Sequence, residues 1–181
     1  EPMGGPGKII EADETYYGQL ETPRISKQRK GRPFTKSGKA GGAQKRAVLG
    51  LVERGGKVRT FHIQNVNAAS VREVIVKNVS RKSKLHTDES RLYTETGKEY
   101  DAHRTVNHSA KEYVRGDVHT NTIEGFFAIF KRGMKGIYQH CGEAHLHRYL
   151  AEFDFRYNAR KISDTERAER ALSQIEGKRL M

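Results

Sequence analysis

The sequence predicts an α/β domain in which helices pack on a mixed β-sheet. Two observations predict this class: the periodicities run in the order strand, hairpin, helix, strand and then helices, and 181 residues are enough for one domain with a hydrophobic core. The sequence shows no internal repeat. A mean hydropathy of -0.82 and 35% hydrophobic residues are low for a compact domain, so we expect part of the chain to be loop or tail.

The first half of the chain predicts a strand, a hairpin and a helix. Residues 8–17, KIIEADETYY, alternate as a strand does, with Glu11 and Asp13 on one face. Residues 46–65 hold two β-rich runs around an Arg-Gly-Gly-Lys turn, which predicts a hairpin. Residues 67–79 place valine and isoleucine at helical spacing and predict a helix.

Two shorter strands are expected next, and helices from Thr120 onward. Residues 83–89, SKLHTDE, predict a strand that ends at Asp88, and residues 104–109, RTVNHS, predict a weaker one. One helix buries a stripe at spacing i, i+3, i+4, i+7 and i+11, formed by Ile123, Phe126, Phe127, Phe130 and Met134. A second helix repeats this spacing with Leu146, Tyr149, Leu150, Phe153 and Tyr157.

A last short helix is expected at residues 165–175. Ser163 and Glu166 form the capping-box pattern that opens such a helix. We expect residues 1–7 to be a linker, because they read EPMGGPG, and the chain to be a fragment of a longer protein. The predicted domain spans residues 8–160, and residues 161–181 form a C-terminal helix and tail.

The charge of the chain indicates a polyanionic partner. A net charge of +12 makes nucleic acid the first candidate and an anionic membrane surface the second, with a basic but inert surface as the alternative. Nine Lys or Arg and no Asp or Glu lie between residues 22 and 46, which predicts a flexible, Gly-rich basic loop. A membrane span is not expected, since no run approaches about 18 apolar residues.

Three acids are candidates for chemistry: Asp13, Asp88 and Glu124. Taken singly, each has an ordinary structural explanation, as a satisfied strand acid, a turn-forming Asp and a solvated helix Glu. Taken together, two carboxylates from neighbouring strands and one from a helix packed on them can converge on paired divalent cations. Such a site stabilises the attacking and leaving oxygens in phosphoryl transfer, and a basic surface would hold the nucleic-acid backbone.

Five motifs give the chain a family resemblance. They are EADETYYG, LHTDES, HRTVNHS, VHTNTIEGFFAIFKRGMKGIY and HLHRYLAEFDFRYNAR, spread over residues 11–160. On these motifs the chain resembles the catalytic core of a DDE-class transposase from a bacterial insertion sequence, in the ISXO-like group related to eukaryotic Merlin elements. The combination of HTNTIEG, a lysine seven residues after its glutamate, and EFDFRYN is more specific than the three acids alone.

The resemblance implies a ribonuclease H-like fold and metal-dependent cleavage and strand transfer of DNA. The catalytic and metal-binding triad maps to Asp13, Asp88 and Glu124, with 74 and 35 residues between its members, and the second interval is typical of the class. Some relatives carry Asn in the third position, which makes Asn121 an alternative. We favour Glu124, because a carboxylate binds a hard cation better than an amide does. The implied cofactor is Mg²⁺ or Mn²⁺, as two ions.

The resemblance also implies DNA as the partner, through the terminal inverted repeats of the transposon and the target DNA. Lys131, two helical turns after Glu124, is expected beside the metals, in contact with a phosphate. The other candidate DNA contacts, each with solvated surface as its equal alternative, are His119, Asn121, Arg132, Lys135, Arg148, Arg156 and Arg160. We expect a homo-oligomer in the DNA complex and no membrane partner.

Other interpretations stay open. A ribonuclease H-like nuclease or resolvase would hydrolyse DNA without strand transfer, and a non-enzymatic basic protein would bind nucleic acid only. Glu11 shares a strand face with Asp13 and could assist the site, although solvation at a strand edge is the more ordinary role. The single cysteine, Cys141, excludes an intramolecular disulfide and fits a reducing, cytoplasmic setting. The resemblance implies a bacterial cytoplasm, with nucleoid association when DNA is bound. The histidines around it lack the spacing of a zinc site.

Overall fold

The computed structural model describes residues 1–22, 44–107 and 114–175. Its strands are β1 (Ile9–Gln19), β2 (Lys45–Glu53), β3 (Val58–Ile63), β4 (Lys84–Asp88) and β5 (Ala102–Val106). Its α-helices are α1 (Ala68–Asn78), α2 (Thr94–Gly97), α3 (Asn121–Gly133), α4 (Leu146–Asn158) and α5 (Asp164–Ser173). A π-helical turn, Met134–Tyr138, continues α3, and a 3₁₀ turn, Glu143–His145, leads into α4.

The five strands form one mixed sheet in the order β3-β2-β1-β4-β5. The hairpin pairs β2 with β3 antiparallel, and β2 pairs antiparallel with β1. On the other side, β1, β4 and β5 are parallel, so the chain crosses over twice, and each of the two connections contains a helix. This arrangement confirms the predicted ribonuclease H-like α/β fold, including the weaker strand expected near residue 104.

The sheet is buried on both faces, which explains the nearly continuous apolar run in β2. The core on the first face joins side chains of the sheet to α1 and its neighbours, and includes Ile10, Ala12, Leu49, Leu51, Val71, Ile75, Leu85 and Tyr93. The core on the second face joins the sheet to α3 and α4, and includes Val48, Val52, Val58, Ile123, Phe126, Phe127, Phe130, Met134, Leu146, Leu150 and Phe153. All five members of the predicted α3 stripe are buried. In α4, Tyr149 and Tyr157 are only partly buried.

The caps of two helices agree with the sequence. Asn67 precedes α1, and its side chain accepts a hydrogen bond from Ser70 N at 2.9 Å. The predicted capping box opens α5, with Ser163 and Glu166 bonded reciprocally. At the N-terminus, Met3 is 5% exposed and forms a bridge with Val79, so this end of the predicted linker packs against the domain.

The motif EFDFRYN in α4 closes the edge of the sheet. Asp154 accepts hydrogen bonds from Thr60 N and Thr60 Oγ1, both at 2.9 Å. One helical turn later, Asn158 accepts from Val58 N at 2.7 Å and donates to Val58 O at 3.0 Å. These two side chains satisfy backbone groups of the edge strand β3 that would otherwise be open to a further strand. The motif therefore has a structural role.

The predicted basic loop lies mostly outside the described residues, which resume at Gln44. Its last two residues, Lys45 and Arg46, already belong to β2, and Arg46 is 7% exposed. In the described parts of the chain, no helix combines the length and the apolar character that a bilayer crossing requires.

Candidate active site

Asp13 and Asp88 meet near the point where β4 ends and its parallel pairing with β1 stops. The register of β1 and β4 pairs Glu11 with His86. Continued by two residues, it sets Asp13 level with Asp88, which is the last residue of β4. The carboxyl ends of neighbouring parallel strands are a usual place for a binding site in an open α/β sheet. Asp88 also accepts a hydrogen bond from Ser90 N at 2.9 Å, so its carboxylate is oriented by a local turn.

Helix α3 brings Glu124 to the same place. Its first turn carries Glu124, and its apolar stripe packs over β1 and β2. Beside Asp13 in the sheet is Gly50, where a Cβ would lie 2.5 Å from Ile123 Cδ1 and 2.7 Å from Phe127 Cζ. The missing side chain at Gly50 therefore lets the helix lie directly on the strand next to Asp13.

The pKa of Asp13 indicates that the three acids lie near one another. Burial raises the pKa of Asp13 from 3.8 to about 8, with further increases from the charges of Glu14, Asp88 and Glu124. A hydrogen bond from Glu14 N acts in the opposite direction. Both other members of the predicted triad thus act on Asp13 through their charge. Over the described ranges, no three Asp, Glu, His or Cys side chains already stand in a metal-binding arrangement.

Glu14, the next residue of the strand, belongs to the opposite face. Its carboxylate accepts a hydrogen bond from the hydroxyl of Tyr93, which is fully buried. Burial and the charge of Asp88 raise the pKa of Glu14, while the Tyr93 hydrogen bond lowers it. Burial and the carboxylates of Glu14, Asp13 and Asp88 raise the pKa of Tyr93 well above 10. Glu14 and Tyr93 thus form a buried polar pair behind the site.

Glu11 is the residue that sequence reasoning misjudged. It is 0% exposed, so solvation at a strand edge is excluded. Its Oε2 accepts hydrogen bonds from Thr122 N at 2.9 Å and Ile123 N at 3.1 Å, the second and third residues of α3. Its Oε1 accepts from Thr122 Oγ1 and from Arg54 Nε, both at 2.9 Å. Strand alternation indicates only that Glu11 shares a face with Asp13. It does not indicate the contact with Thr122, which lies 111 residues away in the chain.

A family model of the ISXO2-like transposase domain matches residues 4–158. The chain belongs to this family. No curated protein matches the chain. Among solved structures, the chain is similar to one titled "Mos1 transposase paired-end complex with left transposon end", at 13% identity and a TM-score of 0.34. The match covers 82% of this chain and 53% of that chain, so the chain spans about half of that transposase.

Lysines flank the acids of this transposase domain. Burial lowers the pKa of Lys131, the charges of Lys45 and Lys135 lower it further, and Asp13 acts in the opposite direction. Lys131 is therefore close to both the acid cluster and two other lysines. Lys45 was not singled out in the sequence, where it is one of nine basic residues in a run. Its place at the start of β2 sets it apart.

Two candidate contacts lie at the start of α3. His119 precedes the helix, with Nδ1 3.4 Å from Glu11 Oε1 and 3.3 Å from Arg54 Nη2, so its ring joins an internal network. Asn121 is the first residue of α3 and is exposed. Both residues lie within five positions of Glu124 in the sequence, but of the two only Asn121 is exposed to solvent.

The remaining arginines lie elsewhere on the transposase domain. Arg132, Arg156 and Arg160 line an apolar groove of about 660 Å³ between α3 and α4, which none of the three acids lines. Arg160 lies 3.9 Å from the centre of the Tyr157 ring and donates to Gly56 O at 3.1 Å. Arg148 lines a separate shallow pocket on α4. The structure thus places Lys131 near Asp13, with Lys45 and Lys135 beside Lys131, and these arginines line pockets that the three acids do not line.

Proposed function

We propose that the domain cleaves DNA at transposon ends and joins the released 3′-hydroxyl to target DNA. Asp13, Asp88 and Glu124 would hold two divalent cations, Mg²⁺ or Mn²⁺, beside the middle of β1 and the end of β4. The observation that supports this assignment is the geometry: the register of β1 and β4 sets Asp13 level with Asp88, and the first turn of α3 carries Glu124, whose charge, like that of Asp88, acts on Asp13. A family of transposases makes DNA the expected substrate.

The donor set fits a hard divalent cation. Mg²⁺ and Mn²⁺ prefer carboxylate oxygens, and three carboxylates at a partly buried site repel one another until a cation neutralises them. Burial, with a smaller contribution from the charges of Glu14, Asp88 and Glu124, raises the pKa of Asp13 to about 8, so this carboxyl retains its proton at neutral pH. When bound, the ions would polarise the scissile phosphate and stabilise the charge on the attacking and leaving oxygens.

The protein's own residues would orient the reacting groups. Asp13 would release its proton on binding a cation, because a ligand carboxylate must be ionised. Thr120 Oγ1 donates to Glu124 Oε1 at 2.7 Å and so holds that side chain in one orientation. Lys131, with Lys45 and Lys135 beside it, would bind the phosphates that flank the scissile bond.

The wider partner assignment rests on charge and family together. The net charge of +12 suits two DNA segments, the terminal inverted repeat and the target, in a homo-oligomeric complex in the bacterial cytoplasm and nucleoid. Of the candidate contacts, Lys131, Lys135 and Asn121 would approach DNA near the acids. His119 would act there through its network, and Arg132, Arg148, Arg156 and Arg160 would contact DNA only away from the acids.

The test is a joining assay with purified protein, a labelled terminal repeat, target DNA and Mg²⁺ or Mn²⁺. Joined products support the transposase assignment. Cleavage without joining would favour a nuclease or resolvase, and binding without either would favour a non-enzymatic DNA-binding protein. Chelation by EDTA should abolish both products and leave DNA binding largely intact.

Asp88→Ala tests the catalytic role of the triad independently of DNA binding. We expect this variant to lose cleavage and joining while it still binds DNA, because the removed group is a ligand and the basic surface is unchanged. Asp101→Ala is the matched control, since Asp101 is an exposed acid near the start of β5. Full activity of Asp88→Ala would refute the assignment of Asp88 to the metal site.

A further inference from the structure

Glu11 has an unusual set of partners for a carboxylate two residues from a proposed metal ligand. Its five closest donors belong to two segments, the first turn of α3 and the side chain of Arg54. We propose that Glu11 is a positioning residue: it caps α3 from the strand that carries Asp13 and thereby holds Glu124 at the metal site. This inference rests on the proposed function, because it concerns the placement of the proposed ligands.

The N-terminus of α3 lacks the cap that its own sequence offers. Thr120 occupies the N-cap position and is a residue type that often caps, yet its side chain makes no capping hydrogen bond. Its hydroxyl donates to Glu124 instead, at 2.7 Å. Glu11 takes over the cap by accepting from Thr122 N and Ile123 N. The remote cap leaves Thr120 available to orient Glu124.

Charge separates Glu11 from Asp13, although they share one face of β1. Arg54 Nη2 lies 2.9 Å from Glu11 Oε1, and the positive end of the helix dipole faces Oε2. Asp13, by contrast, has three acids, Glu14, Asp88 and Glu124, among its charged neighbours, and Lys131 is the cation that interacts with it. A cation is therefore favoured at Asp13, where negative charge is in excess, and disfavoured at Glu11, where it is compensated.

Arg54 also connects Glu11 to the segment that precedes α3. It lies in the turn between β2 and β3, donates from Nη1 to Asp117 O at 2.8 Å, and donates from Nη2 to His119 O at 3.2 Å. Glu11 and Arg54 together thus bind the strand, the hairpin turn and the approach to α3. Loss of the carboxylate should loosen the first turn of α3, where Glu124 lies, more than the rest of the helix.

The test uses Glu11→Gln in the purified chain. The amide keeps the volume but offers one acceptor oxygen instead of two, so it cannot accept from all of these donors. We expect amide hydrogen exchange at Thr122 and Ile123 to quicken about tenfold or more, equivalent to the loss of roughly 1.4 kcal/mol of local protection. Mn²⁺ affinity, measured by titration calorimetry, should weaken about tenfold, and excess Mn²⁺ should partly restore cleavage.

Two further variants make the result decisive. Glu14→Gln removes the neighbouring carboxylate on the other face and should leave exchange in α3 unchanged. Thr122→Val removes only the hydroxyl donor to Glu11 and should give the same changes at a smaller size. If Glu11→Gln does not fold, Thr122→Val decides the question, and unchanged exchange and Mn²⁺ affinity in it would overturn the proposal.

The outcomes also distinguish this proposal from the proposed function. Unchanged exchange and Mn²⁺ affinity in Glu11→Gln would overturn the positioning role. Complete loss of Mn²⁺ binding with unchanged exchange in α3 would overturn it as well, because Glu11 would then be a ligand. Retained Mn²⁺ affinity and cleavage in Asp13→Asn would instead refute the metal site itself, whatever Glu11 does.

Discussion

Replacement of Asp13 by Asn should stabilise the metal-free domain, and the gain should grow with pH. The pKa of Asp13 is about 8 in the fold against 3.8 for the free residue. The folded state therefore binds this proton more tightly than the unfolded chain does, and stability is lost as the pH rises from about 4 to about 8. Asn stays neutral throughout, so it avoids this loss.

The size of the effect follows from the difference in pKa. Each pH unit inside the window changes the free energy of unfolding by about 1.4 kcal/mol. Between pH 5 and pH 7, the difference between Asp13→Asn and the parent protein should thus grow by about 3 kcal/mol. Above pH 8 the difference should level off, because Asp13 is then ionised in both states.

Urea unfolding in EDTA, followed at pH 5, 6, 7 and 8, measures this difference. Asp101→Asn is the control, and its difference from the parent should stay flat. Added Mn²⁺ should stabilise the parent and leave Asp13→Asn nearly unchanged, because only the parent has the complete ligand set. A pH-independent difference for Asp13→Asn would refute the account of a carboxyl held protonated by burial and neighbouring acids.

Three other substitutions, two of them with a matched control, test the site and the frame around it. Gly50→Ala should cost about 1–3 kcal/mol of unfolding free energy, because its methyl group would enter the core under α3. Gly125→Ala, where nothing lies within 4 Å, should be neutral or stabilise by up to about 1 kcal/mol in the same thermal or urea unfolding. Asp154→Asn should gain stability over the parent as the pH rises from about 4 to about 6 and no further, because burial raises the pKa of Asp154 to about 6. Lys131→Ala should weaken binding to DNA ends and reduce the salt slope by about 1, whereas Lys98→Ala should change neither in a fluorescence titration.

The elements with strong periodicity could be predicted from the sequence. The stripe of α3 and the hairpin follow from local spacing, and local spacing is what the core selects. The short helix α2 and the π-helical turn after α3 were not predicted, because neither has a periodic signal of its own. Gly50 could not be distinguished from an ordinary strand glycine, since its importance comes from two side chains more than 70 residues away in the chain.

The acids of the motif EADE show where local pattern stops being informative. Strand alternation assigns Glu11 and Asp13 to one face and Glu14 to the other, and the structure agrees with that division. The roles of the two acids on the shared face depend on what each meets across the sheet. Glu11 is level with the hairpin turn and the start of α3, which supply a guanidinium and two amides. Asp13 lies two residues further along, where β4 ends in another acid.

A distance of two residues therefore separates a carboxylate whose charge is compensated from one that lies among an excess of acids. This arrangement fixes the geometry of the proposed site, because the same strand sets both the position of the helix and the position of a proposed ligand. A movement of β1 relative to α3 would shift Glu11 and Asp13 together, so the spacing between Asp13 and Glu124 depends on one short segment. This rigidity is the physical reason to expect that Glu11→Gln, which leaves all three proposed ligands in place, still weakens Mn²⁺ binding.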